Sequence, residues 1–239
     1  MLKVWQFREI DNESISDPIE RMIIYVALMD ELDIEEVEDW NSSDLVNKYN
    51  KLCRINEISD KYENQIEIEK TILTLINFSH ISLGQFIDIE EWISEGLKMN
   101  FHKIVAALYV IQEKNGLKEN TVESYEEINV PIRSELIDDL PINDVHGAVK
   151  LYLNFRDKFF KSYDIFKDPF EDVKVDELDD EEKKIFEEEK TKAEQDEKSK
   201  WMRILNILSG GDVTKFDKIL KMNLFLAFNQ LSYLVAESK

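Results

Sequence analysis

IEIEKTILTLINFSHISLGQFIDIEEWI, residues 66–93, changes from the hydrophobic period of a strand to that of a helix, and this change decides the fold. Its first half alternates isoleucine with glutamate from position 66 to position 69 and is dense in β-branched residues, which is typical of strands. The alternation predicts a short β-hairpin near 65–76 that turns at Glu69-Lys70, although neither Gly nor Asn marks the turn.

The second half of the stretch has the period of a helix. Ser82 and Gln85 form an S-x-x-Q capping box, and Gly96 is placed to end the helix. One face is apolar and contains Phe86, Ile89, Trp92 and Ile93. A further helix is predicted from Asn100 to the Asn115-Gly116 pair, with an apolar face that includes Leu108, Tyr109 and Ile111.

Outward from this stretch the chain is predominantly helical in pattern. Helices are predicted over 17–32, where Asp17 precedes Pro18, over 43–56, and over 143–166. Residues 117–142, with Pro131 and Pro141, are predicted to be irregular. The predicted fold class is mainly α, with a bundle-like helical domain that contains the small hairpin.

Charge divides the C-terminal third of the chain. Residues 168–200 hold 15 acids and 7 bases, a net charge of −8, whereas residues 201–239 hold 3 acids and 5 bases, a net charge of +2. We therefore predict an N-terminal domain over 1–167, an acidic charged helix or linker over 168–200, and a C-terminal helical module over 201–239. In that module, Gly210-Gly211 should end one helix and Asn223 should cap another.

The composition excludes several classes of function. The 239 residues include 30 Lys plus Arg and 51 Asp plus Glu, a net charge of −21, which disfavours direct binding to nucleic acid or to an anionic membrane. The single cysteine, Cys53, lies in an apolar helical stripe and is interpreted as a core residue. No signal peptide or run of ~20 apolar residues is recognised, so we expect a cytosolic protein where it is made.

No sequence motif indicates chemistry. The three histidines, His80, His102 and His146, each lack a second ligand at the spacing that metal-binding helices use. Phosphate-binding, nucleophile-elbow and calcium-loop motifs are absent from the sequence. We therefore predict a protein that is not an enzyme, with no catalytic residue, no metal and no cofactor. A metal-dependent or acid/base enzyme is an alternative hypothesis, and it would need a cleft whose carboxylates have shifted pKa values.

Aromatic residues are concentrated in the helix predicted over 143–166 and in the C-terminal module. Their spacing is that of a core face, and the alternative is a protein-binding face, since exposed aromatic side chains anchor interfaces. In the module, we expect one apolar face to complete the protein's own core and the other to dock on a partner. The candidate partner-binding residues are Tyr152, Phe155, Phe159, Phe160, Tyr163, Trp201, Phe225 and Phe228.

Three stretches together resemble a known group of proteins. They are residues 66–93, then NFHKIVAALYVI at 100–111, then WMRILNILSGGDVTKFDKILKMNLFLAFNQLSYL at 201–234. Their order resembles tailed-bacteriophage structural or assembly proteins, including tail assembly chaperone-like proteins and neck or ring proteins of crAss-like phages. In that group a hairpin precedes a "tlgQFidle" helix, a helix beginning Asn-x-His-Lys follows, and a Trp-led helical segment closes the chain.

The resemblance implies a non-enzymatic virion or assembly protein of the head–tail or tail region. Its partners would be portal, neck or tail components, and it would form a homo-oligomer in the assembly. Nucleic acid and membrane are not expected among its direct partners. It would occupy the host cytoplasm during assembly and then the virion.

The charge of −21 supports an alternative from a different class. An acidic anti-defence protein can mimic DNA and occupy the phosphate-binding cleft of a host complex. The acids of 168–200 are the candidate mimic surface, although bases are interleaved with them and acids are also spread over the rest of the chain.

Overall fold

The structure is a computed structural model that describes residues 1–10, 17–69, 71–113, 121–122, 125–166 and 199–237. Helices predominate among these residues, and a small antiparallel sheet accompanies them, so the predicted mainly α class with a hairpin is confirmed. The predicted connector over 168–200 lies outside the described residues except for its last two positions, which are helical.

The helices and strands have the following bounds. The helices are α1 (Val4–Glu9), α2 (Pro18–Asp30), α3 (Ile34–Glu38), α4 (Ser42–Ile55), α5 (Leu83–Gly96), α6 (Phe101–Leu108), α7 (Val130–Asp138), α8 (Ile142–Ser162), α9 (described over 199–209), α10 (Phe216–Leu220) and α11 (Leu224–Glu237). The strands are β1 (Gln65–Ile68), β2 (Thr71–Leu75), β3 (Tyr109–Glu113) and β4 (Thr121–Val122).

Contacts between residues group the chain into two compact units. Unit 1 comprises Met1–Ile76 and Asp88–Leu153, and unit 2 comprises Asn77–Ile87 and Asn154–Lys239. This grouping differs from the ranges predicted from charge, because the C-terminal helices share a unit with 77–87 and with the aromatic end of α8. The physical reason is the set of ring contacts between α8 and α11, which charge composition does not reveal.

Side-chain caps begin two helices of unit 1, and the first of these caps, Asp17, is the predicted one. The Asp17 carboxylate accepts a hydrogen bond from the Ile19 backbone N–H at 2.7 Å, and Pro18 occupies the first turn of α2. Asn41 caps α4 in the same way through the Asp44 N–H at 2.9 Å. The two helices and α3 enclose a hydrophobic cluster of Tyr25, Val26, Ala27, Val37, Leu45 and Leu52, against which Cys53 packs.

The predicted hairpin forms with its turn at Glu69. β1 pairs antiparallel with β2 so that Ile66 lies opposite Leu73 and Ile68 opposite Thr71. Glu69 adopts φ 52°, the left-handed conformation that two-residue turns require and that Gly or Asn would adopt at lower cost. The sheet order is β1-β2-β3-β4, with every pair antiparallel.

Two predictions for the middle of the chain are wrong. The helix predicted from Asn100 ends at Leu108, because residues 109–113 form strand β3, of which 109–111 pair with β2 and 112–113 with β4. A non-local partner overrides the helical spacing there. The segment 117–142, predicted to be irregular, contains α7, in whose first turn Pro131 is tolerated because the N–H it lacks would have no partner inside the helix.

Unit 2 uses the start and stop signals predicted for it. The Gln85 N–H donates to Ser82 Oγ at 3.1 Å at the start of α5. Gly210 and Gly211, at φ 65° and 84°, end α9, and the Gly211 N–H donates to the Asn206 carbonyl at 2.9 Å. Asn223 caps α11 by accepting from the Phe225 N–H at 3.1 Å.

Candidate functional site

An aromatic cluster forms the core of unit 2. Its rings come from the 3₁₀ turn Phe78–His80, the start of α5, the C-terminal half of α8, the turn that follows α8, and the C-terminal helices. Contacts between ring centroids of 4.5–6.3 Å join its members, which are Phe78, Phe86, Phe155, Phe159, Phe160, Tyr163, Phe166, Trp201, Phe225 and Phe228. The rings meet mostly edge-on or tilted, as aromatic quadrupoles prefer.

Phe159 occupies the centre of the aromatic cluster. Its ring centroid lies 4.9 Å from that of Tyr163, 5.1 Å from that of Phe228 and 5.2 Å from that of Phe86. Helical spacing places Phe155 and Phe159 on one face of α8, and Tyr163 directly follows the helix. Helix α11 contacts these three rings through Phe225 and Phe228. The cluster therefore connects segments that are far apart in sequence.

The eight residues predicted to bind a partner do not all lie together. Seven of them belong to the aromatic cluster, in which Phe159 and Phe228 are buried, while Phe155, Phe160, Tyr163, Trp201 and Phe225 are half-buried. Tyr152 belongs to unit 1, where it is fully buried and its hydroxyl donates to Glu90 Oε1 at 3.1 Å. Their partner-binding role stays a prediction.

Cations cover part of the aromatic cluster. The Lys200 ammonium lies 4.6 Å from the Phe166 ring centroid, and the Arg156 guanidinium lies 4.6 Å from that of Phe160. Long cationic side chains can cover apolar surface with their stems while their charged ends stay in water.

Unit 2 also exposes apolar side chains that the sequence did not single out. Leu226 is 58% exposed and Tyr233 is 62% exposed, and their seven-residue separation places them on one face of α11. Met202 on α9 and Val213 after it are exposed to a similar degree. By contrast, Ile204 of α9 and Phe228 of α11, which lie on the two apolar faces expected for the module, are both buried. Periodicity alone does not reveal which apolar positions another element leaves uncovered.

A cavity of about 450 Å³ lies in unit 1 beside α6 and α7. His102 and Ser134 contribute to its lining, and neither His102 Nδ1 nor Ser134 Oγ has a hydrogen-bond partner among the described residues. Burial, followed by the nearby Arg8 guanidinium, lowers the pKa of His102 to about 4, so the ring is neutral at pH 7. The cavity wall therefore offers two uncharged hydrogen-bonding groups beside charged side chains of both signs, which are Arg8, Lys103, Glu127, Glu135 and Asp138.

Asp88 is a second perturbed group of unit 1. Burial raises its pKa to about 6, with Glu127 and Glu91 adding to the effect, while the Tyr125 hydroxyl, which donates to Asp88 Oδ2 at 2.6 Å, opposes it. The native state therefore binds more protons than the unfolded state between about pH 4 and pH 6. The contribution of Asp88 to the free energy of unfolding is therefore fully present below that window and is lost as the pH rises through it.

Asp88→Asn is expected to stabilise the protein by about 1–2 kcal/mol at pH 7.5 and to have little effect near pH 4, because the amide has no charge to desolvate. The unfolding free energy of wild type and variant, measured by urea titration at both pH values, checks this. Protonation of His102 in the unfolded state lowers the free energy of unfolding below pH 6.5, but it does so equally in wild type and variant. The exposed Asp217→Asn serves as the control, and an equal gain at both pH values would contradict the assignment to Asp88.

Within the described part of the chain, no group of three or more His, Cys, Asp or Glu side chains is arranged to hold a metal ion. No helix there combines the length and the apolar character needed to cross a membrane.

Comparison with known proteins identifies no relative. No family model, curated protein or solved structure matches the chain. The function proposed below is therefore inferred from the residues themselves and from the resemblance of the three sequence stretches.

Proposed function

We propose that the protein is a non-enzymatic structural or assembly protein of a tailed bacteriophage and acts by protein–protein contacts at the head–tail or tail region. Its partners would be portal, neck or tail components together with further copies of itself. It would act in the host cytoplasm during assembly and enter the virion. The observation that carries this proposal is the ordered resemblance of residues 66–93, 100–111 and 201–234 to such proteins.

The way these stretches pack supports treating them as one signature. Within unit 2, the Leu83 N–H donates to the Met222 carbonyl at 2.8 Å, and the Leu224 N–H donates to the Ile81 carbonyl at 2.9 Å. Between these bonds, Ser82 and Asn223 form an isolated antiparallel bridge. The start of α5 and the start of α11, taken from the first and third stretches, are thus joined by their backbones. Two of the segments that carry the resemblance therefore contact each other directly within unit 2.

The exposed face of α11 supports an action by protein–protein contact. Leu226 and Tyr233 present apolar surface to solvent beside a core that is already well filled with aromatic rings. Exposed apolar side chains of this kind act as anchors when a partner removes them from water. A ring or a tail needs such a surface on every copy, since heterologous interfaces repeat around a closed assembly.

Co-sedimentation with isolated portal, neck and tail components of the encoding phage tests this proposal. The double variant Leu226→Glu with Tyr233→Glu should lose at least about tenfold in binding or self-assembly while remaining folded, because both side chains are exposed. Lys218→Glu, an exposed change on α10 with the same change in net charge, should assemble as wild type does.

A wild-type protein that remains monomeric and binds none of these components would overturn the proposal. Equal loss in the double variant and in Lys218→Glu would instead show that net charge, and not the α11 face, governs the association.

A further inference from the structure

A groove with an apolar floor and an acidic rim opens on unit 1. It has a volume of about 640 Å³ and lies among α1, the C-terminal half of α2 and the start of α3. Its floor is formed largely by Trp5, Ile24, Leu28, Leu32 and Ile34. The volume falls in the range of sites that bind small molecules or a few side chains of a peptide.

The end of α2 explains why acids rim an apolar floor. Glu31 adopts the left-handed conformation, φ 56°, and the Leu32 N–H returns to the Ala27 carbonyl at 3.0 Å. The chain thus reverses, and Asp33 precedes α3 as its N-cap residue, whose carbonyl accepts from the Glu36 N–H at 3.1 Å. The tight turn places Leu32 in the lining between two exposed acids, Glu31 and Asp33.

The side chains of the floor are only partly buried. Trp5, Ile24, Leu28 and Leu32 are half-buried, and Ile34 is 45% exposed. A tryptophan flanked by aliphatic side chains is the kind of surface that anchors interfaces, since it gains most when a partner removes it from water.

The rim has a single sign of charge. Its ionisable residues are Glu9, Glu31, Asp33 and Glu35, and neither Lys nor Arg is among the described residues that line the groove. Such a rim repels phosphate groups, so neither nucleic acid nor an anionic membrane is a suitable occupant. It attracts a segment whose apolar side chains are flanked by cations.

We propose that this groove binds an amphipathic segment of a partner protein, with apolar side chains on one face and Lys or Arg beside them. The apolar side chains would lie over Trp5 and the aliphatic floor, as in helix-in-groove recognition, and the cations would meet the rim. This inference goes beyond the proposed function and does not depend on it, because the groove belongs to unit 1 and its partner is defined by chemistry alone.

A labelled helical peptide with Leu at i, i+3, i+4 and i+7 and Lys at the flanking positions is the probe, titrated into the full-length protein. Its affinity should fall at least about tenfold in Glu31→Gln with Asp33→Asn, because two rim charges are removed. Glu67→Gln with Glu95→Gln removes two exposed acids outside the groove and should change the affinity less than about twofold.

The apolar floor is tested separately. Ile34→Ser should weaken the peptide by about fivefold or more, whereas Ile19→Ser, an exposed isoleucine of α2 outside the groove lining, should leave the affinity unchanged. Binding should also shift tryptophan emission to shorter wavelength, and Trp5→Phe should abolish that shift. A second peptide with Glu in place of Lys should not bind.

Three results would overturn the proposal. Equal weakening by the rim and control pairs would mean that diffuse charge attracts the peptide. Equal binding of the Glu-flanked peptide would show that charge complementarity does not contribute to the affinity. Self-association that competes with the peptide and disappears in Glu31→Gln with Asp33→Asn would identify a second copy of this chain as the occupant.

Discussion

Phe228→Ala is expected to lower the free energy of unfolding by about 3–5 kcal/mol, the usual cost of truncating a buried aromatic side chain. The Phe228 side chain is fully buried, and its ring centroid lies 5.1 Å from those of Phe159 and Phe166 and 5.3 Å from that of Tyr163. Its removal leaves a cavity that faces three rings. Because each of those rings contacts others, the neighbours cannot fill the space without breaking further contacts.

Urea unfolding of the variant measures the total loss, and hydrogen exchange read by mass spectrometry locates it. We expect amides of α11 to lose protection before those of α2, since α11 is the helix that loses its buried anchor. Leu226→Ala is the control on the same helix. Its side chain is exposed, so the change in unfolding free energy should stay within about 0.5 kcal/mol. A small effect of Phe228→Ala would mean that the aromatic cluster is not the core of unit 2.

Gly147→Ala is expected to destabilise the protein by about 3 kcal/mol or more, although alanine is the better helix former by about 1 kcal/mol. A Cβ at position 147 would lie 2.1 Å from the Asp60 carbonyl oxygen and 2.5 Å from that of Lys61. Both obstacles are backbone atoms, so no side-chain rotation relieves the clash. The Gly147 N–H also donates to the Lys61 carbonyl at 2.9 Å, and that bond would be lost as the segment moves away.

Gly210→Ala provides the comparison for this glycine. A Cβ there meets no atom within 4 Å, and only its φ of 65° opposes the change, so we expect a cost of about 1 kcal/mol. Thermal or urea unfolding of both variants gives the contrast. If Gly147→Ala were as stable as wild type, α8 could not approach residues 60–61 as closely as the structure places it.

Local signals explain which parts of the fold could be predicted. The hairpin at 65–76 and the starts of α2, α5 and α11 depend on alternation or on a capping side chain that acts within a few residues. Strand β3 could not be predicted, because the pairing of Tyr109 with Leu75 joins positions far apart in sequence. The sequence does not predict helix α7, because Pro131 indicates a break, although a proline is compatible with a first helical turn.

The candidate site shows the same limit. Spacing identified the apolar face of α8, but only the packing of α11 on that face shows that Phe159 and Phe228 are buried. The exposed Leu226 and Tyr233 have no sequence signal that separates them from core residues. The acidic-rimmed groove depends on the reversal at Glu31 and on the position of Trp5, which no single helix pattern contains.

Quantitative mass spectrometry of purified virions and assembly intermediates tests the proposed phage function most directly. We expect peptides of this protein in mature particles or in head–tail or tail intermediates, at a fixed ratio to the portal or tail proteins. A fixed ratio is what a closed ring or a repeated contact requires. Absence of the protein from both preparations, while it is present in the infected cell, would contradict the account.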